Sequence, residues 1–201
     1  MPSAAVAMLS RSFRVFMPNA QWIVAENHGR NPDHPNDRRY PMPSLDWIYP
    51  DPDEDRDVEL AIYPPIVSGT PDDERHWAIT WKVGEFPNPN PTSDGSPPLP
   101  LHIYRVLQLV TDPGHPYYTY WGPITHAASP RTVALDRIHI MTLSLRDRRL
   151  LEECALDAPV YLPNGKFNCQ NWAWDVLNRA VGKGIFPQEN MSAVPDRRVS
   201  I

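Results

Sequence analysis

Proline constrains this chain more than any other residue does: 25 of its 201 residues are Pro. Each one fixes φ and removes a backbone donor, so helix interiors and central strands exclude it. The tracts "HGRNPDHPNDRRYPMPS" (28–44), "YPDPDEDRDVE" (49–59) and "FPNPNPTSDGSPPLP" (86–100) therefore read as irregular surface chain. On that basis residues 1–70 form a proline-rich, partly irregular N-terminal arm, 71–187 a folded domain and 188–201 a tail. A domain of roughly 120 residues is long enough to bury one core.

The formal charge of -5 is spread over interspersed acids and bases. That distribution lacks the basic stripe of a nucleic-acid binder. No window approaches 18 uninterrupted apolar residues, so no membrane span is expected. Two cysteines, Cys154 and Cys169, are too few for a disulfide framework and fit a reducing, cytoplasmic setting. The sequon at Asn190 carries little meaning without a secretory signal.

Acids recur at every second position in "DPDEDRDVELAI" (51–62), as in a calcium loop. The glycine of loop position 6 is missing, and Ile62 replaces the glutamate of position 12. A solvated acidic turn is expected instead. No cofactor and no metal are implied, because Cys154, Cys169 and the histidines show no zinc-ligand spacing.

Within the arm, Phe13 to Met17 and Trp22 to Ala25 are β-prone and predict an edge hairpin. From His76 the pattern changes. "HWAITWKV" (76–83) is a strand with Trp77, Ile79, Trp81 and Val83 on one face. "LHIYRVLQLV" (101–110) is a second strand, and "YYTYWGPITHA" and "TVALDRIHIMTL" supply at least two more. The expected fold class is α+β: an antiparallel sheet of four or five strands followed by two helices. The first helix opens at Ser144 with Asp147 three positions on, a capping box, and buries Leu150, Leu151, Cys154 and Ala155. The second opens at Asn168 and stops at Gly182 or Gly184.

An N-cap at Asn168 places Cys169 in the first helical turn, where unpaired N–H groups and the macrodipole favour a thiolate. Cys169 also begins the apolar stripe Trp172, Ala173, Val176, Ala180, Val181, so its sulfur faces the sheet. A buried cysteine is by itself more often packing than chemistry. Cys154, mid-helix with no dipole end near it, reads as core.

A reactive thiol needs a proton partner, and histidine suits that task near neutral pH. Of the seven histidines, His28 and His34 lie in the arm, His115 in a turn and His126 after a proline break. His76, His102 and His139 lie on expected strands.

"HWAITWKVG" at 76–84, followed about ninety residues later by "NCQNWAWDVL" at 168–177, resembles the circularly permuted papain-like thiol hydrolases, which include NlpC-type peptidases and lecithin retinol acyltransferase-like enzymes. The layout is more closely similar to uncharacterised fungal proteins with the same His-Trp strand and Asn-Cys-Gln helix. The resemblance covers roughly residues 75–186.

It implies a permuted papain-like fold and a cysteine-dependent hydrolase or acyl transferase acting on an amide, ester or thioester. Cys169 is then the nucleophile, His76 the general base, and a polar residue of the next strand the imidazole's orienter. His102 is the expected orienter, with Tyr104 and Arg105 as alternatives set by register. The acyltransferase branch usually reads Cys-Glu-His-Phe where this chain reads Cys-Gln-Asn-Trp, so lipid substrates are not implied. Trp121, Trp172 and Trp174 are candidates to line a groove for a peptide or acyl substrate. The alternative is a catalytically inactive interaction module on the same fold, meeting protein partners through its proline-rich arm. "RRVS", ending at Ser200, adds a basophilic phosphorylation pattern.

Overall fold

A computed structural model describes residues 22–30, 44–64, 75–88, 100–111, 117–128 and 135–197. Phe13 to Met17, His34, His115 and Ser200 lie outside the described residues. The described strands are β1 (Arg56–Ile62), β2 (Trp77–Phe86), β3 (Leu101–Leu107), β4 (Val110–Thr111), β5 (Tyr118–Thr119), β6 (Ile124–Ala127) and β7 (Asp136–Leu143). Two helices follow, α1 (Leu145–Asp157) and α2 (Cys169–Gly182). Five strands form one antiparallel sheet in the order β6-β3-β2-β1-β7, and β4 and β5 pair separately. The fold is α+β, strands first and helices after.

β1 corrects the reading of residues 1–70 as an arm. Its Val58, Leu60 and Ala61 are fully buried between β2 and β7, so part of the arm is a strand of the sheet. The flanking prolines and acids hid it, although "DVELAI" carries the alternation of a strand. The acidic turn needs a similar correction, because Asp51 is buried. It accepts from Arg148 Nη2 at 2.9 Å and from Trp81 Nε1 at 3.0 Å, and Arg148 also donates to the carbonyls of Pro52, Glu54 and Leu143. A buried guanidinium requires such a complete set of partners. This pair fastens the segment before β1 to α1.

The expected edge hairpin lies half outside the described residues, and its second half, Trp22 to Ala25, is described. That stretch bridges the α1–α2 connection, with Ala25 N–H donating to the Val160 carbonyl at 2.7 Å and Leu162 N–H to that of Ile23 at 2.8 Å.

Both helix starts follow the sequence. Ser144 Oγ accepts from Asp147 N–H at 3.2 Å and donates to the Asp147 carboxylate at 2.8 Å. Asn168 Oδ1 accepts from Gln170 and Asn171 N–H, and Asn171 Oδ1 accepts from Asn168 N–H at 2.8 Å, a reciprocal capping box. At the other end of α2, Gly184 adopts φ +71 and Ile185 N–H reaches back to the Ala180 carbonyl at 3.0 Å. That is a Schellman stop, for which glycine is the unstrained residue.

The stripe of α2 packs on the sheet as its periodicity predicts. Trp172, Ala173, Val176 and Ala180 are fully buried against Trp77, Ile79 and Trp81 of β2 and Leu151, Cys154 and Ala155 of α1. Trp172 meets Tyr120 at 5.0 Å between ring centroids. Packing this helix on the central strand carries its first residue to the start of β2.

Candidate active site

Cys169 is buried, 7% exposed, at the first position of α2. Its thiol makes a 3.5 Å hydrogen bond with the side chain of His76, the residue just before β2. The sulfur also lies 4.0 Å from the Arg75 carbonyl, and the backbone N–H groups of Trp77 and of Cys169 itself favour its charged form. The Asn168 side chain takes up the N–H groups of Gln170 and Asn171. The cap thereby takes up two of the donors of the first helical turn.

The electrostatics favour the ion pair. Burial alone would push the Cys169 thiol up, but the His76 charge, the His76 hydrogen bond and the two backbone N–H groups outweigh it and hold the thiol below its ordinary range. Burial alone would lower His76. The charge of an ionised Cys169, its hydrogen bond and a hydrogen bond to the Gln108 amide oxygen outweigh that and raise the imidazole. A lowered thiol beside a raised imidazole shifts both groups toward a thiolate–imidazolium pair, a shift the α2 dipole supports. Cys154 is the contrast: burial raises it, and no partner reverses the shift.

The imidazole is held on three sides. His76 Nε2 meets Gln108 Oε1 at 2.8 Å. The Tyr63 ring packs on it with centroids 4.9 Å apart, and Tyr63 N–H donates to the His76 carbonyl at 2.9 Å. An amide oxygen accepts, so Nε2 carries the proton and Nδ1 is left to exchange one with the thiol.

His102, the expected orienter, lies elsewhere. Strands β2 and β3 run antiparallel, which sets Ile79 opposite Leu107 and Glu85 opposite His102. The start of β2 therefore faces the end of β3, while His102 sits at the far end. There His102 Nε2 lies 3.6 Å from Glu85 and Nδ1 3.4 Å from the Tyr104 hydroxyl. The two alternatives are engaged with other partners: the Tyr104 ring lies under the Arg137 guanidinium at 4.5 Å, and Arg105 pairs with Asp46 at 2.6 Å and with Glu152. The residue that meets His76 is Gln108, one past the end of β3. Antiparallel pairing was the available signal, since it directs the search to the C-terminal end of the second strand.

Of the other candidates, His139 pairs with Asp57 on the exposed sheet edge, and Trp172 is core rather than groove lining. Trp121 stacks under Arg30 at 5.8 Å, and Trp174 packs against the core. The Asn190 amide donates to the Ile140 carbonyl. Among the described residues no group of three or more His, Cys, Asp or Glu has the arrangement to hold a metal ion, and no helix is long and apolar enough to cross a membrane. A cleft of about 600 Å³ lies apart from the thiol, lined by Ile23, Val24, Asn27, Arg30, Tyr117 and Leu162.

No protein-family model, no curated protein and no solved structure matches the chain.

Proposed function

We propose that the protein is a cysteine-dependent hydrolase or acyl transferase of the permuted papain-like type, with Cys169 as nucleophile, His76 as proton carrier and Gln108 as the residue positioning the imidazole. The observation that carries this reading is the 3.5 Å contact between a thiol held low and an imidazole held high. The chain order, a His-bearing strand first and a Cys-bearing helix last, adds the resemblance noted from sequence. Gln108, which meets His76 from one residue past β3, fits the role of polar orienter that the resemblance implies.

In the proposed reaction the Cys169 thiolate attacks the carbonyl carbon of an amide, ester or thioester, forming a C–S bond as the π pair moves to oxygen. The N–H groups of Cys169 and Trp77, which favour the charged sulfur in the free protein, are the candidates to stabilise that developing charge. The His76 imidazolium gives its proton to the leaving nitrogen, oxygen or sulfur as that bond breaks. Water or an acceptor, deprotonated by His76, then attacks the thioester and releases the thiolate.

The second reading, a non-catalytic interaction module, draws on the small exposure of the thiol. One experiment separates the two: rates of iodoacetamide alkylation from pH 5 to 9. The enzyme reading expects Cys169 to react with an apparent pKa below that of a free thiol, with the signal lost in Cys169→Ala and its acid limb displaced upward in His76→Ala. Slow labelling on an ordinary thiol profile would overturn it.

A further inference from the structure

We propose that Arg197 is an anion-recognition residue of this site, and that the acyl substrate carries a carboxylate beside the scissile bond; this rests on the thiol reading above.

Arg197 is fixed beside the start of α2 by three contacts. Its Nε donates to Gln170 Oε1 at 2.7 Å, its carbonyl accepts from Asn171 Nδ2 at 2.9 Å, and its guanidinium lies over the Trp77 ring at 5.8 Å. Two of the contacted residues, Gln170 and Trp77, also adjoin the Cys–His pair in the chain. Gln170 follows Cys169, and its Nε2 donates at 2.7 Å to the Arg75 carbonyl that lies 4.0 Å from the Cys169 sulfur. The backbone N–H of Trp77 helps to hold that thiol down. The guanidinium is therefore one side chain away from the reacting atom.

Its charge is uncompensated. Arg75, Arg105, Arg137 and Arg148 each meet a carboxylate, at Asp136, Asp46, Glu59 and Asp51. Arg197 meets none among the described residues. Asp136 meets Arg75, so among the described residues around the thiol Arg197 is a cation that no carboxylate meets. A tail anchor would need only the Nε and carbonyl bonds. With Nε engaged, the planar fork of Nη1 and Nη2 remains, and that geometry matches a carboxylate through two parallel hydrogen bonds. A free C-terminal carboxylate on a peptide, or an acyl group ending in one, has this chemistry.

The test compares N-ethylmaleimide with 3-maleimidopropionate, which share an electrophile and differ by a carboxylate several bonds from the reacting carbon. In both, the Cys169 thiolate adds to the C=C bond, forming C–S, and the His76 imidazolium protonates the adjacent carbon. The expected result is a rate ratio, anionic over neutral reagent, about tenfold above that of a small free thiol at pH 7 and low salt. The ratio falls to the free-thiol value in Arg197→Gln and persists in Lys183→Gln, which removes a positive charge at the opposite end of α2. Fast reaction with N-ethylmaleimide but a free-thiol ratio in the unmodified protein overturns the carboxylate assignment alone. So does a raised ratio that survives Arg197→Gln. Reaction with N-ethylmaleimide no faster than an ordinary thiol overturns the thiol reading and this proposal with it.

Discussion

Replacing Gln108 with alanine removes the acceptor that meets His76 Nε2 at 2.8 Å. The bond favours the protonated ring, which is why it raises His76, and the imidazolium in turn holds Cys169 down. Its loss moves the imidazole downward and the thiol upward, so the pH window of the ion pair narrows from both sides. A hydrogen bond to a charged group contributes about 1.5–3 kcal/mol, and the half-buried position of Gln108 argues for the lower end. About 1.5 kcal/mol corresponds to roughly a tenfold change in rate. The assay is the second-order rate of Cys169 alkylation by iodoacetamide. Gln108→Ala is expected to react about tenfold more slowly than the unmodified protein at pH 6, and the two are expected to converge by pH 9, where any thiol is largely ionised. Gln108→Glu, whose carboxylate accepts the same bond and favours the imidazolium, is expected to restore the rate at pH 6. A rate that is unchanged at pH 6, or reduced equally at every pH, would refute the assignment of Gln108 as a positioning residue.

The remaining predictions concern stability and the start of α2. Asp51→Ala leaves the fully buried Arg148 without its counter-ion, at an expected cost of about 3–5 kcal/mol in urea unfolding. Asp51→Leu combined with Arg148→Met is expected to recover most of that loss, and a single substitution costing under about 1 kcal/mol would show the pair to be solvated. Asn168→Ala frees two capped N–H groups and is expected to cost about 1–2 kcal/mol. It should also slow Cys169 alkylation, because the helix start that presents the sulfur frays. Loss of stability with undiminished labelling would separate the cap from the thiol's reactivity.

What the amino-acid order determined by itself was local. Ser144 and Asn168 cap helices through hydrogen bonds spanning two or three residues, and the Schellman stop needs only Gly184 in its place. The stripe from Cys169 to Ala180 follows from the helical period, and the strand at Trp77 to Val83 from side-chain shape. Short-range chemistry of this kind is written in adjacent letters. That the Cys169 thiol sits at the head of a helix facing the sheet was legible for the same reason.

The tertiary structure alone decided what lies around that thiol. The direction of β3 relative to β2 selects Gln108 over His102, because antiparallel pairing brings the end of one strand to the start of the other. β1 became part of the sheet through neighbours supplied from β2 and β7, against the proline and charge content around it. The buried pair of Asp51 and Arg148, and the approach of Arg197 to Gln170 and Trp77, join residues far apart in the chain. Register, strand direction and chain return are properties of the packed sheet, set by burying one core, and no short window of sequence encodes them.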